Sequence, residues 1–92
     1  DLSLDTKPRM SESSSMATAM REFAAVAERT QGPSLVVVKQ DDGEYRLAHY
    51  ITLSAFADGK PRRTHYFVDA HNGELLPLTF SDRTGTRHEH LK

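Results

Sequence analysis

Apolar side chains recur at three- and four-residue steps between Ser11 and Arg29, the period of one face of an α-helix. Ser11 or Ser13 can accept a backbone N–H as the N-cap of this helix. Gly32-Pro33 provides a stop signal, because Gly supplies a left-handed cap and Pro cannot continue a helix. The pattern therefore predicts one amphipathic helix over 11–29, with an apolar stripe made of Met16, Ala19, Met20, Phe23, Val26 and Ala27.

After Pro33 the apolar period changes to two, which is typical of strands. The candidate strands are separated by the turn signals Asp41-Asp42-Gly43, Asp58-Gly59 and Asn72-Gly73. Pro77 makes the last strand short or an edge strand. A helix followed by an antiparallel meander predicts a two-layer α+β domain, one N-terminal helix packed on a curved sheet of three to four antiparallel strands. The predicted strands cover residues 35–39, 44–56, 64–70 and 74–78.

Three segments follow from these patterns. We expect residues 1–10 to be an approach segment or edge strand, 11–78 to form the domain, and 79–92 to be a flexible C-terminal tail or linker. The chain opens on charged residues without an apolar stretch, so for an exported protein we expect the signal peptide to lie outside this sequence.

Composition excludes several functional classes. With 12 basic and 13 acidic residues the net charge is −1, so no nucleic-acid partner is predicted. Membrane insertion is not predicted either, because no apolar run approaches the ~20 residues that span a bilayer. The absence of cysteine excludes a disulfide framework and a thiolate zinc site.

Catalytic motifs are missing from the chain. It contains no G-x-S-x-G, P-loop, G-x-G-x-x-G or H-E-x-x-H. His88-Glu89-His90 lies in the predicted tail, where successive residues cannot form a rigid metal site. We expect His49 to be partly buried with a hydrogen-bond partner, His65 to lie on the opposite face, and His71 to be exposed in a turn. The sequence thus predicts no enzyme, no catalytic residue, no cofactor and no metal.

Residues 66–76 carry the most informative motif. The Asp69 carboxylate ends a strand and can accept backbone N–H groups from the following turn, in which Asn72 and Gly73 can adopt positive φ. This segment, YFVDAHNGELL, resembles the signature of PepSY domains, and more narrowly the form found in propeptides of thermolysin- and vibriolysin-like zinc metalloproteases. Leu35-Val36-Val37-Val38 and the segment from Arg46 to Tyr50 are similar to the two preceding strands of that family, so the resemblance covers about residues 11–78.

The resemblance implies a cystatin-like two-layer fold and a role that is not enzymatic. In that family the propeptide acts as an intramolecular chaperone and inhibitor of a secreted protease until it is cleaved. The implied partner is a protease catalytic domain, in the same precursor or in trans, and the implied location is secreted, periplasmic or extracellular. The stretch that enters the active-site cleft corresponds to residues 81–92.

The sequence departs from the family pattern in two ways: it lacks the more N-terminal propeptide subdomain, and it lacks a catalytic domain. It is then either an excised piece or a stand-alone PepSY module of the bacterial envelope that binds and regulates another protein. A small-ligand or metal-binding domain is a third alternative.

A chaperone needs one free sheet face for its partner, and the alternation of residues along the predicted strands assigns side chains to the two faces. We expect Tyr50 and Phe67 to anchor the partner on the outer face, with His65 and Val37 in the same surface. Scattered outward aromatic residues without a partner are the ordinary alternative. The expected helix side is Val36, Val38, Tyr45, Leu47, Ile51, Leu53, Tyr66 and Val68, and the expected outer side is Leu35, Val37, Tyr50, His65 and Phe67.

Overall fold

A short helix precedes an antiparallel meander. The computed structural model describes residues 4–77 and 80–81, with only the backbone described at 57, 80 and 81. The elements are α1 (Glu12–Phe23), β1 (Arg29–Lys39), β2 (Tyr45–Ala57), β3 (Lys60–Asp69) and β4 (Phe80–Ser81). The strands form one antiparallel sheet in the order β1-β2-β3-β4, so the predicted α+β class, a helix packed on an antiparallel sheet, is confirmed.

Helix α1 begins where the sequence predicts and ends six residues early relative to Arg29. Ser11 is the N-cap, and its Oγ accepts the Ser14 N–H at 3.0 Å. Ala24 caps the other end in the left-handed region, with φ of 59°. The predicted helical stretch after it is wrong, because the chain there leaves α1 and approaches the sheet: Val26, predicted to be apolar stripe, is 84% exposed.

Strand β1 starts before Gly32-Pro33 instead of after it. The Glu28 N–H donates to the Ser54 carbonyl at 2.8 Å, so pairing with β2 has already begun where helix was predicted. The register shifts between Gln31 and Ser34, which places Gly32-Pro33 in an irregularity of the strand. Gly32 has φ of +91°, and a Cβ atom there would clash with a backbone carbonyl oxygen of β2. The two residues thus bend an edge strand, a position that tolerates Pro.

Apolar clusters cover parts of both sheet faces. The helix lies mainly over β2 and β3 and buries one cluster against them. The second cluster lies on the opposite face and includes Leu76, from the segment after β3. The first cluster contains Ala19, Phe23, Ile51, Leu53, Ala55, Tyr66 and Val68, and the second contains Val38, Ala48, Phe67 and Leu76.

The segment before α1 and the segment after β3 both contact the C-terminal end of β3. Residues 4–10 form no strand, but the Arg9 and Met10 N–H groups both donate to the Ala70 carbonyl, at 2.8 and 2.9 Å. In the predicted fourth strand, residues 74–77 form no continuous strand and Leu75 makes a single bridge to Val68, whereas residue 78 lies outside the described residues. Residues 82–92, which include most of the predicted tail, lie outside the described residues. Within the described part of the chain, no helix has the length and apolar character needed to cross a membrane.

Candidate partner interface

The pairing of β1 with β2 decides which β1 side chains face the helix. Val37 is opposite Leu47, and Val36 is opposite Ala48. Directly opposed residues of antiparallel strands point to the same face. Leu47 shares the face of Ile51, which packs under α1, so Val37 also lies on the helix side. The predicted faces of β1 are therefore wrong: Leu35 and Val37 lie on the helix side, and Val36 and Val38 lie on the outer side.

The turn between β1 and β2 contains the signal that fixes this register. The Gln40 N–H donates to the Glu44 carbonyl, and the Gly43 N–H donates to the Gln40 carbonyl, at 2.8 and 2.9 Å. Gly43 has φ of +89°, as expected of a three-residue hairpin loop with Gly at its last position. Pairing Gln40 with Glu44 places Val37 opposite Leu47. Residues 35–38 are all apolar, so the sequence of β1 itself does not show which of its side chains face the helix.

Three of the predicted partner-binding residues come together on the outer face. Tyr50 is opposite Phe67 in the register, and their rings stack with centroids 4.9 Å apart. The Tyr50 ring also stacks on His65 at 5.8 Å, with an interplanar angle of 9°. Nδ1 of His65 lies 2.8 Å from the Tyr50 hydroxyl and 3.0 Å from that of Thr52, a partner that the sequence did not identify. Val37 is separated from this group because it lies on the other face.

Burial changes the role that these aromatic side chains can have. Phe67 is 1% exposed and His65 is 3% exposed, so the expected open patch is wrong for both. Phe67 packs in the outer cluster with Leu76, whose N–H donates to the Phe67 carbonyl at 2.8 Å. Tyr50 is half-buried. Phe67 and His65 therefore hold the Tyr50 ring in place by stacking, instead of offering their own faces to a partner.

Asp69 organises the turn that follows β3. Its Oδ1 accepts the His71 N–H at 2.7 Å and the Asn72 N–H at 3.1 Å. Its Oδ2 accepts from the Arg46 guanidinium at 3.0 Å, a partner that only the sheet register reveals. Gly73 has φ of +82°, and its N–H donates to the Asp69 carbonyl. The carboxylate is thus satisfied by three donors and joins the turn to β2.

Burial alone would raise the pKa of Asp69. The N–H groups of His71 and Asn72 and the Arg46 guanidinium outweigh burial, so the pKa lies below its ordinary value. The group is an ionised structural carboxylate at neutral pH.

His49 is buried on the helix side and has the hydrogen-bond partner that the sequence predicts. Its Nδ1 lies 2.7 Å from the Oγ of Ser15, and the two residues are 2% and 1% exposed. The pair joins α1 to β2 across the core. Its burial leaves no room for a substrate, although a serine and a histidine are in contact.

Arg62 of β3 is a structural residue that contacts the C-terminal end of α1. Its guanidinium donates to the Phe23 carbonyl at 2.7 Å and lies 4.1 Å from the centroid of the Phe23 ring. A cation at this place satisfies a carbonyl in the last turn of α1 and packs on an aromatic face. Among the described residues, no group of three or more His, Asp or Glu side chains is placed to hold a metal ion.

Comparison with known proteins links the chain to a protease. It is 32% identical over 74 residues to Neutral protease B of Bacillus subtilis (strain 168). This match covers 75% of the present chain and 14% of that protein, so the chain spans about one-seventh of its relative's length. No family model matches the chain, and no solved structure matches it.

Proposed function

We propose that this chain is a propeptide domain of a secreted thermolysin- or vibriolysin-like zinc metalloprotease. It assists folding of the catalytic domain and inhibits it until the propeptide is cleaved. The observation that carries the proposal is the similarity to Neutral protease B, confined to 14% of that protease. The chain has no H-E-x-x-H, the zinc-binding motif that such a catalytic domain requires, so the matching part is not the zinc site. The PepSY-like segment 66–76 favours the propeptide.

The fold supports this role through the contacts that hold its strands together. A folding aid must keep its own shape while its partner is still incomplete. Apolar clusters on both sheet faces, together with the Asp69–Arg46 contact and the Ser15–His49 pair, fix the strands relative to one another. Large apolar side chains also remain at the surface for a partner to bury. Those on the strands are Leu35, Val37, Tyr45 and Phe56.

The predicted contact residues enter the proposal with different tasks. Tyr50 contacts the protease, whereas Phe67 and His65 hold its ring by stacking. Val37 contacts the protease at a separate place, because it lies on the helix side of β1. Residues 81–92 are proposed to supply the stretch that enters the active-site cleft. The domain itself performs no catalysis and requires no cofactor.

Refolding in trans tests the proposal. The mature catalytic domain of Neutral protease B is unfolded in guanidinium chloride and diluted with increasing amounts of this chain. We expect the yield of folded protease to rise with the amount of chain, and its peptidase activity to be inhibited until the chain is degraded. Bovine serum albumin at equal mass is the control for nonspecific protection.

Two measurements separate folding assistance from inhibition. Near-ultraviolet circular dichroism follows the folded protease regardless of inhibition, and peptide hydrolysis by separately prepared native protease follows inhibition alone. If the chain changes neither the folding yield nor the hydrolysis rate relative to albumin, the proposed function is wrong.

A further inference from the structure

The free edge of β1 offers unpaired backbone groups. β1 is the first strand in the order of the sheet, and among the described residues no strand pairs with its other side. The Gln40–Glu44 pair is hydrogen-bonded, and such pairs alternate with non-bonded pairs along an antiparallel ladder. The N–H and C=O groups of Leu35, Val37 and Lys39 therefore point away from β2, toward the free edge.

The side chains of these residues complete a binding surface. Leu35 and Val37 are 46% and 43% exposed, because the helix over their face lies mainly above β2 and β3. Lys39 lies next along the same face, with its Nζ 5.8 Å from the centroid of the Tyr45 ring. Two half-exposed apolar side chains and one cation thus accompany the unpaired backbone groups. This combination favours an extended polypeptide over a small ligand, because an added β-strand would contact both the backbone groups and the side chains.

The irregularity at Gly32-Pro33 limits the length of this edge. Pro33 has no N–H to donate, and the register shift ends the regular ladder at Ser34. The regular edge from Ser34 to Lys39 spans about 20 Å at roughly 3.3 Å per residue. It therefore accepts one short strand and not a long ribbon.

We infer that the edge of β1 from Ser34 to Lys39, named here the β1 edge, pairs with an extended strand of the protease catalytic domain. This inference rests on the proposed function and assigns its contact surface. The strand pairs with the outward N–H and C=O groups, places apolar side chains beside Leu35 and Val37, and places a carboxylate across from Lys39. The continued sheet lets the folded chain serve as a template for that segment of the protease.

Edge-blocking variants test the inference in the refolding and inhibition assays with mature Neutral protease B. Val37→Pro removes one outward N–H and leaves the inward bonds of Val36 and Val38 in place. The double variant Leu35→Lys with Val37→Lys adds charges, which oppose edge pairing. Val26→Lys is the matched control, because Val26 is 84% exposed and lies outside the sheet.

We expect Val37→Pro to raise the inhibition constant about tenfold, the size of one lost backbone hydrogen bond. The double lysine variant is expected to raise it more than tenfold, whereas Val26→Lys leaves it unchanged. Far-ultraviolet circular dichroism and urea unfolding establish that each variant is folded. If Val37→Pro fails to fold, the double lysine variant still tests the inference.

The alternative outcomes are distinguishable. If wild type inhibits and both edge variants inhibit equally well, the inference is overturned and the proposed function stands. A wild-type chain without effect on the protease overturns both. If the chain alone is a dimer by analytical ultracentrifugation, the edge variants are monomers, and inhibition is unchanged, a second copy covers the β1 edge and the inference is wrong.

Discussion

Replacing Asp69 by alanine is expected to be among the most destabilising changes in the chain. It leaves the N–H groups of His71 and Asn72 and the Arg46 guanidinium without their acceptor. Removing a buried charged acceptor costs about 3–5 kcal/mol. Asp69→Asn keeps one carbonyl oxygen for the two N–H groups and loses the charge, so we expect about 1–2 kcal/mol. Arg46 is 37% exposed, which keeps the part due to the ion pair small.

Urea unfolding followed by circular dichroism measures both changes. A domain of this size is stable by roughly 5–14 kcal/mol, so the alanine variant loses a large fraction of its stability. With a slope of about 1.5 kcal/mol per molar urea, the midpoint falls by about 2–3 M. Asp42→Ala is the matched control, because Asp42 also accepts a local N–H, from Glu44, but at an exposed turn. If Asp69→Ala costs no more than that control, the three hydrogen bonds do not stabilise the fold as argued.

The dependence of stability on pH gives an independent test of the same carboxylate. Burial opposes ionisation, but the N–H donors and Arg46 prevail, so the pKa of Asp69 is lower in the folded chain than in the unfolded chain. Its contribution is therefore fully present above the unfolded pKa of about 3.9, and it is lost as the pH falls from there through the folded pKa. Between pH 5 and pH 3 the wild type should lose more stability than Asp69→Asn. Parallel curves would refute this assignment.

Two further substitutions test the helix-to-sheet contacts and the bend of β1. Gly32→Ala is expected to cost about 2–4 kcal/mol in urea unfolding, because it adds a clash with a β2 carbonyl to the strain of positive φ. Gly43→Ala has the same strain without a neighbour within 4 Å and should cost about 1 kcal/mol; equal losses would contradict the clash. Ser15→Ala leaves buried His49 without its partner and should cost about 1–3 kcal/mol, against less than about 0.5 kcal/mol for exposed Ser13→Ala.

Local chemistry made part of the fold predictable. Ser11 at the start of α1 and the alternation along β2 act through neighbouring residues, and both lead to the correct elements. The turn after Asp69 follows the same logic, since a carboxylate accepts N–H groups two and three residues later. Local sequence does not predict the end of α1. The alanine-rich stretch after Phe23 favours helix, but pairing with β2 already begins at Glu28. Tertiary hydrogen bonds override propensity at that point.

The candidate site was harder to predict because it depends on pairs distant in sequence. His49 contacts Ser15, which lies 34 positions away in the sequence, and Asp69 pairs with Arg46, which lies 23 positions away. A histidine alone predicts a partner but not its identity. The expected face of Val37 is wrong because four consecutive apolar residues do not show which side chains share a face. The turn that contains Gly43 fixes the pairing of Val37 with Leu47, and that pairing decides the face. The register of an edge strand is thus better read from its turn than from its own residues.

The bend at Gly32-Pro33 also bears on how the chain behaves at high concentration. Residues 35–38 are four consecutive apolar residues of high β-propensity, the kind of segment that stacks into fibrils when its edge is open. A bend next to this segment keeps the edge short and twisted, which discourages one copy from templating the next. Substitutions that straighten β1 should therefore reduce solubility in addition to any loss of thermodynamic stability.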